Sequence, residues 1–215
     1  MLRRYLKAGQ HCVDVGAASG EMTRTMLECV GPSGSVLAIE IDPAKRDSLE
    51  KLAHFQNFQM QMTGAGEGYG DCLLYRSSET LASRWHGQDA KKEPVSVSYA
   101  PLDDLVGDRP IDLIKLDTQG SEAHVLDGAP KLLKRCPLWI VELWPWGLMS
   151  ANRTVLDVVN AFRKAGLTPR WSDGGLINDE ALAEFTISMG TERNGPVRNI
   201  LAFHAGKHWN IYAAA

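Results

Sequence analysis

The chain has 215 residues, the length of one ordinary domain that can bury a full hydrophobic core. Its 44% hydrophobic and 23% charged residues are typical of a globular protein that folds in water. Its net charge of -3 provides no basic excess for binding phosphates, so the composition argues against a nucleic-acid partner.

Apolar and polar residues alternate in patterns that predict strands and helices in turn along the chain. The predicted strands are, in order, HCVDVGA, VLAIEI, FQMQMT, VSVSY, IDLIKLD, LWIVEL, LTPRW and RNILAFH. The predicted helices are EMTRTMLECV, PAKRDSLEKLAHF, TQGSEAHVLD and TVLDVVNAFRKAG. This alternation predicts a doubly wound α/β fold, with a mostly parallel, seven-stranded Rossmann-like sheet and helices on both faces. No domain boundary is visible, so we expect residues 1–215 to form a single domain.

Two segments fit this alternation less well. GAGEGYGDCLLYRSS has four glycines before an apolar run, which predicts a turn into an extra strand or a hairpin. Residues 79–93 are polar and aperiodic. We expect them to form a mobile loop near the substrate entrance, because loops between regular elements commonly carry specificity.

The cysteines and the N-terminus both bear on the cellular location. Four cysteines without close pairs are typical of reduced, buried thiols in a cytosolic protein rather than of a disulfide framework. The N-terminal segment lacks the apolar run of a signal peptide, and no apolar run approaches the ~20 residues that span a membrane. We therefore expect a cytoplasmic protein without a membrane partner.

A glycine-rich turn links the first strand to the first helix in VDVGAASGEMT. Gly16 and Gly20 either let a ligand approach the backbone and the helix N-terminus, or only permit a tight turn. Ala18 replaces a glycine of the GxGxxG pattern. Glu40 ends the second strand, where an acid can accept hydrogen bonds from both hydroxyls of a ribose and would repel the 2′-phosphate of NADP.

Asp14 discriminates between the nucleotide-like ligands that such a turn can hold. The pyrophosphate of NAD is anionic, so a carboxylate at the turn would weaken its binding. S-adenosylmethionine (SAM) carries an ammonium and a sulfonium group, which a carboxylate attracts directly or through water. The DxGxxxG pattern together with Glu40 therefore favours SAM, with another nucleotide or no ligand as alternatives.

Further acids follow the two predicted strands IDLIKLD and LWIVEL. Lys115 and Asp117 are costly to bury unless they are paired or functional. They form either an ion pair with a helix cap, or a site in which Asp117 lies beside the reactive centre. Glu122 is predicted in the first turn of the next helix, and Glu142 ends the LWIVEL strand. The WPW segment that follows is expected to wall a substrate pocket or to pack in the core.

These motifs resemble those of the FkbM-type methyltransferases, which belong to the class I SAM-dependent methyltransferases. The matching segments, in family order, are VDVGAASGEMT, VLAIEIDP, APLDDL, IDLIKLDTQGSEAHVLDGA, LWIVEL and RNILAFH. The resemblance implies that the first turn and Glu40 hold SAM, and that Asp117 and Glu122 line the site. Gln119 stands where many members have glutamate, and Ala18 stands where asparagine is common.

Motifs and resemblance together define the predicted site. The predicted cofactor-binding residues are Asp14, Gly16, Ala17, Gly20, Glu40, Ile41 and Asp117. The predicted catalytic residues are Asp117, as the first candidate base, and then Glu122 and Glu142. No metal is predicted, because the HxxxH pair formed by His204 and His208 joins a strand to the tail of the chain.

The sequence thus predicts a SAM-dependent methyltransferase that acts on a hydroxyl of a small metabolite or sugar. The reaction is expected to be an in-line displacement that depends strongly on positioning. A non-catalytic SAM-binding or interaction domain is one alternative. An NAD-dependent oxidoreductase is another, which Asp14 and the altered GxGxxG pattern disfavour.

Overall fold

The computed structural model describes residues 2–76, 83–84, 94–175, 177–189 and 198–204. Within them the strands are β1 His11–Val15, β2 Ser35–Glu40, β3 Phe58–Met62, β4 Gly64–Gly66, β5 Gly70–Arg76, β6 Ser83–Arg84, β7 Val95–Pro101, β8 Leu113–Leu116, β9 Leu138–Leu143, β10 Leu167–Trp171 and β11 Arg198–His204. The helices are α1 Glu21–Val30, α2 Arg46–Glu50, α3 Leu102–Val106, α4 Glu122–Asp127, α5 Pro130–Arg135, α6 Pro145–Ser150, α7 Val155–Lys164 and α8 Asp179–Met189. None of these helices is long and apolar enough to cross a membrane.

The main sheet has seven strands in the order β10-β11-β9-β8-β1-β2-β3. The five strands from β9 to β3 run parallel to their neighbours. Strand β11 runs antiparallel between β9 and β10. The strand order reverses at β1, which lies between β2 and β8. The predicted α/β class and mostly parallel sheet are therefore confirmed.

A second sheet has four strands in the order β4-β7-β5-β6. It arises from the glycine-rich segment that was predicted to form an extra strand or a hairpin, and from VSVSY, which becomes β7. The seven-strand prediction was incomplete because it left out this sheet. The predicted loop 79–93 lies outside the described residues, apart from Ser83–Arg84, which form β6.

Alternate residues of the central strands lie in two hydrophobic clusters, one on each face of the main sheet. In β1, Val13 and Val15 belong to the cluster that contains Trp139, whereas Cys12 belongs to the cluster that contains Met26 of α1. Successive strand residues point to opposite faces, so this division shows that both faces are buried.

The observed helices match the prediction best where the residues at the helix ends and the apolar face indicate the same helix. Helix α1 coincides with the predicted segment and buries one side, and α7 begins with a capping box between Thr154 and Asp157. The second predicted helix is shorter than expected. Asp42 caps a 3-10 turn at Pro43–Lys45, and α2 ends at Glu50. Helices α3, α5, α6 and α8 were not predicted.

Candidate active site

Charged residues gather on one face of the main sheet, near the carboxyl ends of four adjacent strands. The strand register pairs Asp14 of β1 directly with Lys115 of β8. Glu40 ends β2, Glu142 lies near the end of β9, and Asp117 directly follows β8. Their alternation places these residues on the face that α1 covers. Ligands of doubly wound sheets bind at this edge, where the strand order reverses.

The turn after β1 packs directly against the end of β8. Gly16 has a φ of +80°, and a Cβ atom at this position would lie 1.9 Å from the backbone oxygen of Asp117. Only glycine permits this contact, because any side chain would push the two strand ends apart. The backbone nitrogens of Gly16 and Ala17 donate to the carbonyl oxygen of Ile39 at 2.9 and 3.2 Å. Gly20 closes the turn as the residue before α1.

Glu40 holds the same turn from the β2 side. Its two carboxylate oxygens accept hydrogen bonds from the backbone nitrogen of Ala18 at 2.7 Å and from that of Asp42 at 2.8 Å. Burial raises the pKa of Glu40, although these two hydrogen bonds act in the opposite direction. Each oxygen keeps a further lone pair for another donor. The half-buried Ile41 follows, and its side chain lies against Gly64 of the second sheet.

Asp14 is fully buried behind the turn. One carboxylate oxygen accepts a hydrogen bond from the hydroxyl of Thr23 in α1 at 2.6 Å. The other oxygen lies 3.6 Å from the ammonium of Lys115 and has no hydrogen-bond partner among the described residues. Helix α1 and strand β8 thus enclose this carboxylate. The expected attraction between Asp14 and a ligand, directly or through water, stays a prediction.

Asp117 is the centre of a hydrogen-bonded chain of side chains. Its Oδ2 accepts from the ammonium of Lys115 at 3.0 Å, and its Oδ1 accepts from the amide nitrogen of Gln119 at 2.7 Å. The same amide nitrogen donates to Oε2 of Glu142 at 2.8 Å. The side chain of Asp117 is 23% exposed, so it reaches the surface of the site while remaining paired. Asp117 therefore forms the expected ion pair with Lys115 and directly follows β8, while its place beside the reactive centre stays a prediction.

The two carboxyl groups of this chain have opposite pKa shifts. Burial opposes the ionisation of Asp117, but the charge of Lys115 and hydrogen bonds, including one with Glu142, outweigh it and lower its pKa. Burial and the charge of Asp117 raise the pKa of Glu142 to about 7. The pKa of Lys115 is raised, because the charges of Asp14 and Asp117 outweigh its burial. Near neutral pH, Lys115 and Asp117 are therefore charged while Glu142 is close to its midpoint.

Glu122 points into the turn that precedes α4 instead of facing the site. It is 1% exposed, and its carboxylate accepts hydrogen bonds from the backbone nitrogens of Thr118 at 2.9 Å and Gly120 at 3.0 Å. Burial raises its pKa to about 7. The role of Glu122 as a candidate base stays a prediction, although the turn encloses its carboxylate in the structure. Its position indicates that it clamps the turn that presents Gln119.

The aromatic residues after β9 differ in exposure. Trp144 is 5% exposed and packs against Gly147, whereas Trp146 is half-buried. The two rings lie 5.3 Å apart. Trp144 therefore packs in the core, which was one of the two roles expected for this segment. Trp146 is the tryptophan that remains partly exposed. Across the described residues, no group of three or more acidic, histidine or cysteine side chains could hold a metal ion.

Neither the position of Gln119 between two acids nor the hydrogen bond between Thr23 and Asp14 was predicted. In the sequence, Gln119 is apparent only as a departure from the glutamate common in the resembling family. A signal for its position was available, since polar residues at 115, 117 and 119 alternate beyond the apolar part of β8. The sequence carries no comparable signal for Thr23, because its hydrogen bond to Asp14 depends on how α1 packs across β1.

Comparison with known proteins gives one family and several similar folds. The family model described as the methyltransferase FkbM domain matches residues 14–164. None of the curated proteins is similar in sequence to this chain. A solved FkbM methyltransferase from Methylobacillus flagellatus KT shares 18% identity, with a TM-score of 0.58 over 94% of this chain and 48% of that chain. The present chain thus spans about half the length of that relative.

Two further solved structures share the fold. Fibrillarin from Aeropyrum pernix, in complex with natively bound S-adenosyl-L-methionine, has 12% identity and a TM-score of 0.52, over 92% of this chain and 68% of that chain. An rRNA methylase from Streptococcus thermophilus has 12% identity and a TM-score of 0.52, over 94% of this chain and 91% of that chain. These low identities support the fold alone, whereas the family model covers most of the chain. The chain therefore belongs to the FkbM family of SAM-dependent methyltransferases.

Proposed function

We propose that this chain transfers a methyl group from SAM to a hydroxyl oxygen of a small metabolite or sugar, and that residues 1–215 form one domain for this reaction. The observation that carries the proposal is the pair of carboxyl groups, Asp117 and Glu142, beside the Gly16 turn. A partly exposed, ionised carboxylate at the cofactor turn is the group that a hydroxyl nucleophile needs as its proton acceptor.

The charges around the turn fit a cationic cofactor. Asp14 and Asp117 carry two negative charges against the single positive charge of Lys115. The uncompensated charge favours the sulfonium and ammonium of SAM and disfavours the pyrophosphate of NAD. The Oδ1 atom of Asp14, buried without a hydrogen bond among the described residues, adds to this negative field.

The residues that would hold SAM are those at the β1 turn and at the end of β2. Gly16, Ala17 and Gly20 form the turn that a ligand can approach closely, and the free lone pairs of Glu40 suit the two ribose hydroxyls. Ile41 offers an apolar side chain next to Glu40. When bound, SAM supplies an electrophilic methyl group.

Asp117 then has two tasks, orientation and proton acceptance. Its carboxylate can accept a hydrogen bond from the substrate hydroxyl and so direct the oxygen toward the turn. The hydroxyl proton becomes acidic as its oxygen forms the new bond, so a carboxylate with a low pKa can accept it at that stage. Lys115 and Gln119 fix both oxygens of Asp117, which restricts the side chain to one orientation.

A methyl-transfer assay tests this function. The purified chain is incubated with SAM that carries an isotopic label in its methyl group, together with a panel of sugars and hydroxylated metabolites. The expected result is S-adenosylhomocysteine and a product whose label is on oxygen, located by NMR. Arms with RNA and with protein as acceptors distinguish other substrate classes. Transfer to RNA, or to nitrogen or carbon of a metabolite, would contradict the proposal.

The two alternative functions give different results in simple binding experiments. A non-catalytic domain binds SAM but produces no S-adenosylhomocysteine with any acceptor. An oxidoreductase is stabilised by NAD more than by SAM in a thermal-shift comparison, since ligands that bind the folded state raise its melting temperature.

A further inference from the structure

We propose that Asp117 and Glu142 act as one proton-sharing pair, in which Asp117 takes the proton of the substrate hydroxyl and Glu142 stores it. Gln119 and Lys115 are the positioning residues of this pair. The proposal rests on the proposed transfer to oxygen and goes beyond it, because it assigns a function to three side chains other than the base.

The amide of Gln119 joins the two acids. Its nitrogen carries two hydrogens and lies 2.7 Å from Asp117 Oδ1 and 2.8 Å from Glu142 Oε2, so it donates one hydrogen bond to each. An amide neither gains nor loses a proton near neutral pH, so it fixes the spacing of the acids without titrating. Gln119 has a φ of +55°, which is uncommon for a residue other than glycine. The packed turn therefore holds the amide between the two carboxyl groups against an unfavourable backbone conformation.

The turn around Gln119 is built rigidly enough to keep this geometry. The buried carboxylate of Glu122 accepts the backbone hydrogen bonds of Thr118 and Gly120 on either side of Gln119. Gly120 has a φ of +109°, and a Cβ atom there would lie 2.4 Å from the backbone of Gly147 in α6. The turn is thus held by hydrogen bonds to Glu122 and by the close packing of Gly120 against α6.

The position of Lys115 makes the pair asymmetric. Its ammonium lies 3.0 Å from Asp117 Oδ2 and makes no hydrogen bond to Glu142 among the described contacts. A positive charge next to one acid favours the ionised form of that acid. The proton of the pair therefore resides on Glu142, and Asp117 remains the acceptor that faces the site.

The other charged groups near the pair do not reverse this order. Asp14 lies beside Lys115 on β1, and the buried Glu122, whose pKa is also raised to about 7, lies near Asp117 on the α4 side. On the outer side of β9, the residue of β11 in register with Glu142 is Asn199. The pKa shifts agree with the geometry, since that of Asp117 is lowered and that of Glu142 is raised to about 7.

The proton balance of the reaction follows from this arrangement. The O–H bond of the substrate breaks, an electron pair of the oxygen forms the new C–O bond, and the sulfur keeps the electron pair of its former bond to the methyl carbon. The released proton passes to Asp117 and then, through the hydrogen bond between the two carboxyl groups, to Glu142, which loses it to water after the product leaves. The pair must be fully ionised before each turnover. We therefore expect kcat/KM, which reports the pKa values of the free enzyme, to rise with pH through the pKa of Glu142 at about 7.

The first test needs neither cofactor nor substrate. The chain is labelled with 13C in its aspartate and glutamate carboxyl groups, and NMR follows their titration in the wild type and in Asp117→Asn. We expect the pKa of Glu142 to fall in the variant, because the neighbouring negative charge is gone. A pKa of Glu142 that is unchanged in Asp117→Asn would overturn the pair. The control is Glu67→Gln, which alters a carboxyl group that contacts His124 outside the site and should leave Glu142 unaffected.

The second test follows the pH dependence of methyl transfer. Glu142→Gln should lower kcat/KM on the alkaline plateau by ~10²-fold and remove the rise of kcat/KM near pH 7, since the proton store is lost. In Gln119→Leu the rise of the pH–rate profile should move to higher pH, because the hydrogen bond that lowers the pKa of Glu142 is missing. A merely structural role would lower the rate without moving this rise along the pH axis, and that result would overturn the proposal.

Failure of the proposed function gives a different pattern. If no hydroxyl acceptor is methylated but the pKa of Glu142 falls in Asp117→Asn, the two acids share a proton and the transfer to oxygen is refuted. If a hydroxyl is methylated and the pH profile of Glu142→Gln equals that of the wild type, the transfer stands and the proton store is refuted.

Discussion

Replacing Glu40 with alanine should weaken the binding of SAM while leaving the fold intact. Glu40 is 6% exposed, and its oxygens accept two backbone hydrogen bonds while retaining lone pairs for further donors. Loss of the hydrogen bonds between a carboxylate and the ribose hydroxyls should cost about 1–3 kcal/mol. This corresponds to a Kd increase of about 5-fold to 150-fold.

A second variant separates the loss of ribose contacts from the loss of the turn. Glu40→Gln keeps one acceptor oxygen. Its amide NH2 group replaces the other oxygen, so one of the two backbone N–H groups, of Ala18 or of Asp42, loses its acceptor. We expect a Kd between those of the wild type and of Glu40→Ala. Isothermal titration with SAM measures these affinities, and circular dichroism verifies that each variant is folded. Glu50→Ala is the matched control, because this exposed acid of α2 contacts only Arg46 among the described ion pairs.

The assignment of Glu40 would be refuted by equal affinity for SAM in the wild type and in Glu40→Ala. The same conclusion would follow if Glu50→Ala weakened binding as much as Glu40→Ala, because the loss would then reflect general charge and not a contact.

Other predictions concern the base, the clamp and the turn. Asp117→Asn should retain SAM affinity close to that of the wild type while kcat falls by ~10²–10⁴-fold, measured with the first acceptor found; undiminished turnover would exclude Asp117 as the base. The pKa of Glu122 is about 7 in the folded chain, above the usual 4.5, so its stabilising contribution is fully present below about pH 4.5 and is lost as pH rises through about 7. In urea unfolding, the free energy of unfolding should therefore fall less steeply with pH over this range in Glu122→Gln than in the wild type. Equal pH slopes in the two proteins would contradict the raised pKa of Glu122. Gly16→Ala should abolish SAM binding and lower the melting temperature, because its Cβ would lie 1.9 Å from a backbone oxygen; a variant that binds normally would contradict the close approach.

The regular elements could be predicted because their causes are local. Helix α1 has one apolar side and a glycine at each end, and its observed bounds match the prediction. The strands of the main sheet are short apolar runs between turn residues, and these runs remain strands in the structure. The TQGS segment was wrongly assigned to a helix. Its tertiary contacts explain the difference, since the turn requires positive φ at Gln119 and Gly120 and the carboxylate of Glu122.

For the candidate site, the sequence predicts which residues gather at one end of the sheet, but it does not predict their contacts. Alternation along the strands places Asp14, Lys115 and Glu142 on the same face. It does not give the register between strands, which brings Lys115 opposite Asp14 and leaves Asp14 enclosed. Nor does it show which way the first side chain of a helix points, and the carboxylate of Glu122 accepts backbone hydrogen bonds from the turn that precedes α4. Gln119 joins the two acids for the same non-local reason.

A crystal structure with S-adenosylhomocysteine would show whether the cofactor binds at the β1 turn with its sulfur beside Asp117. We expect the ribose hydroxyls on the carboxylate of Glu40, the ligand's backbone contacts at the turn of Gly16 and Gly20, and the sulfur facing the carboxyl group of Asp117. A sulfur atom directed away from Asp117, or a ribose that leaves Glu40 without a contact, would contradict it.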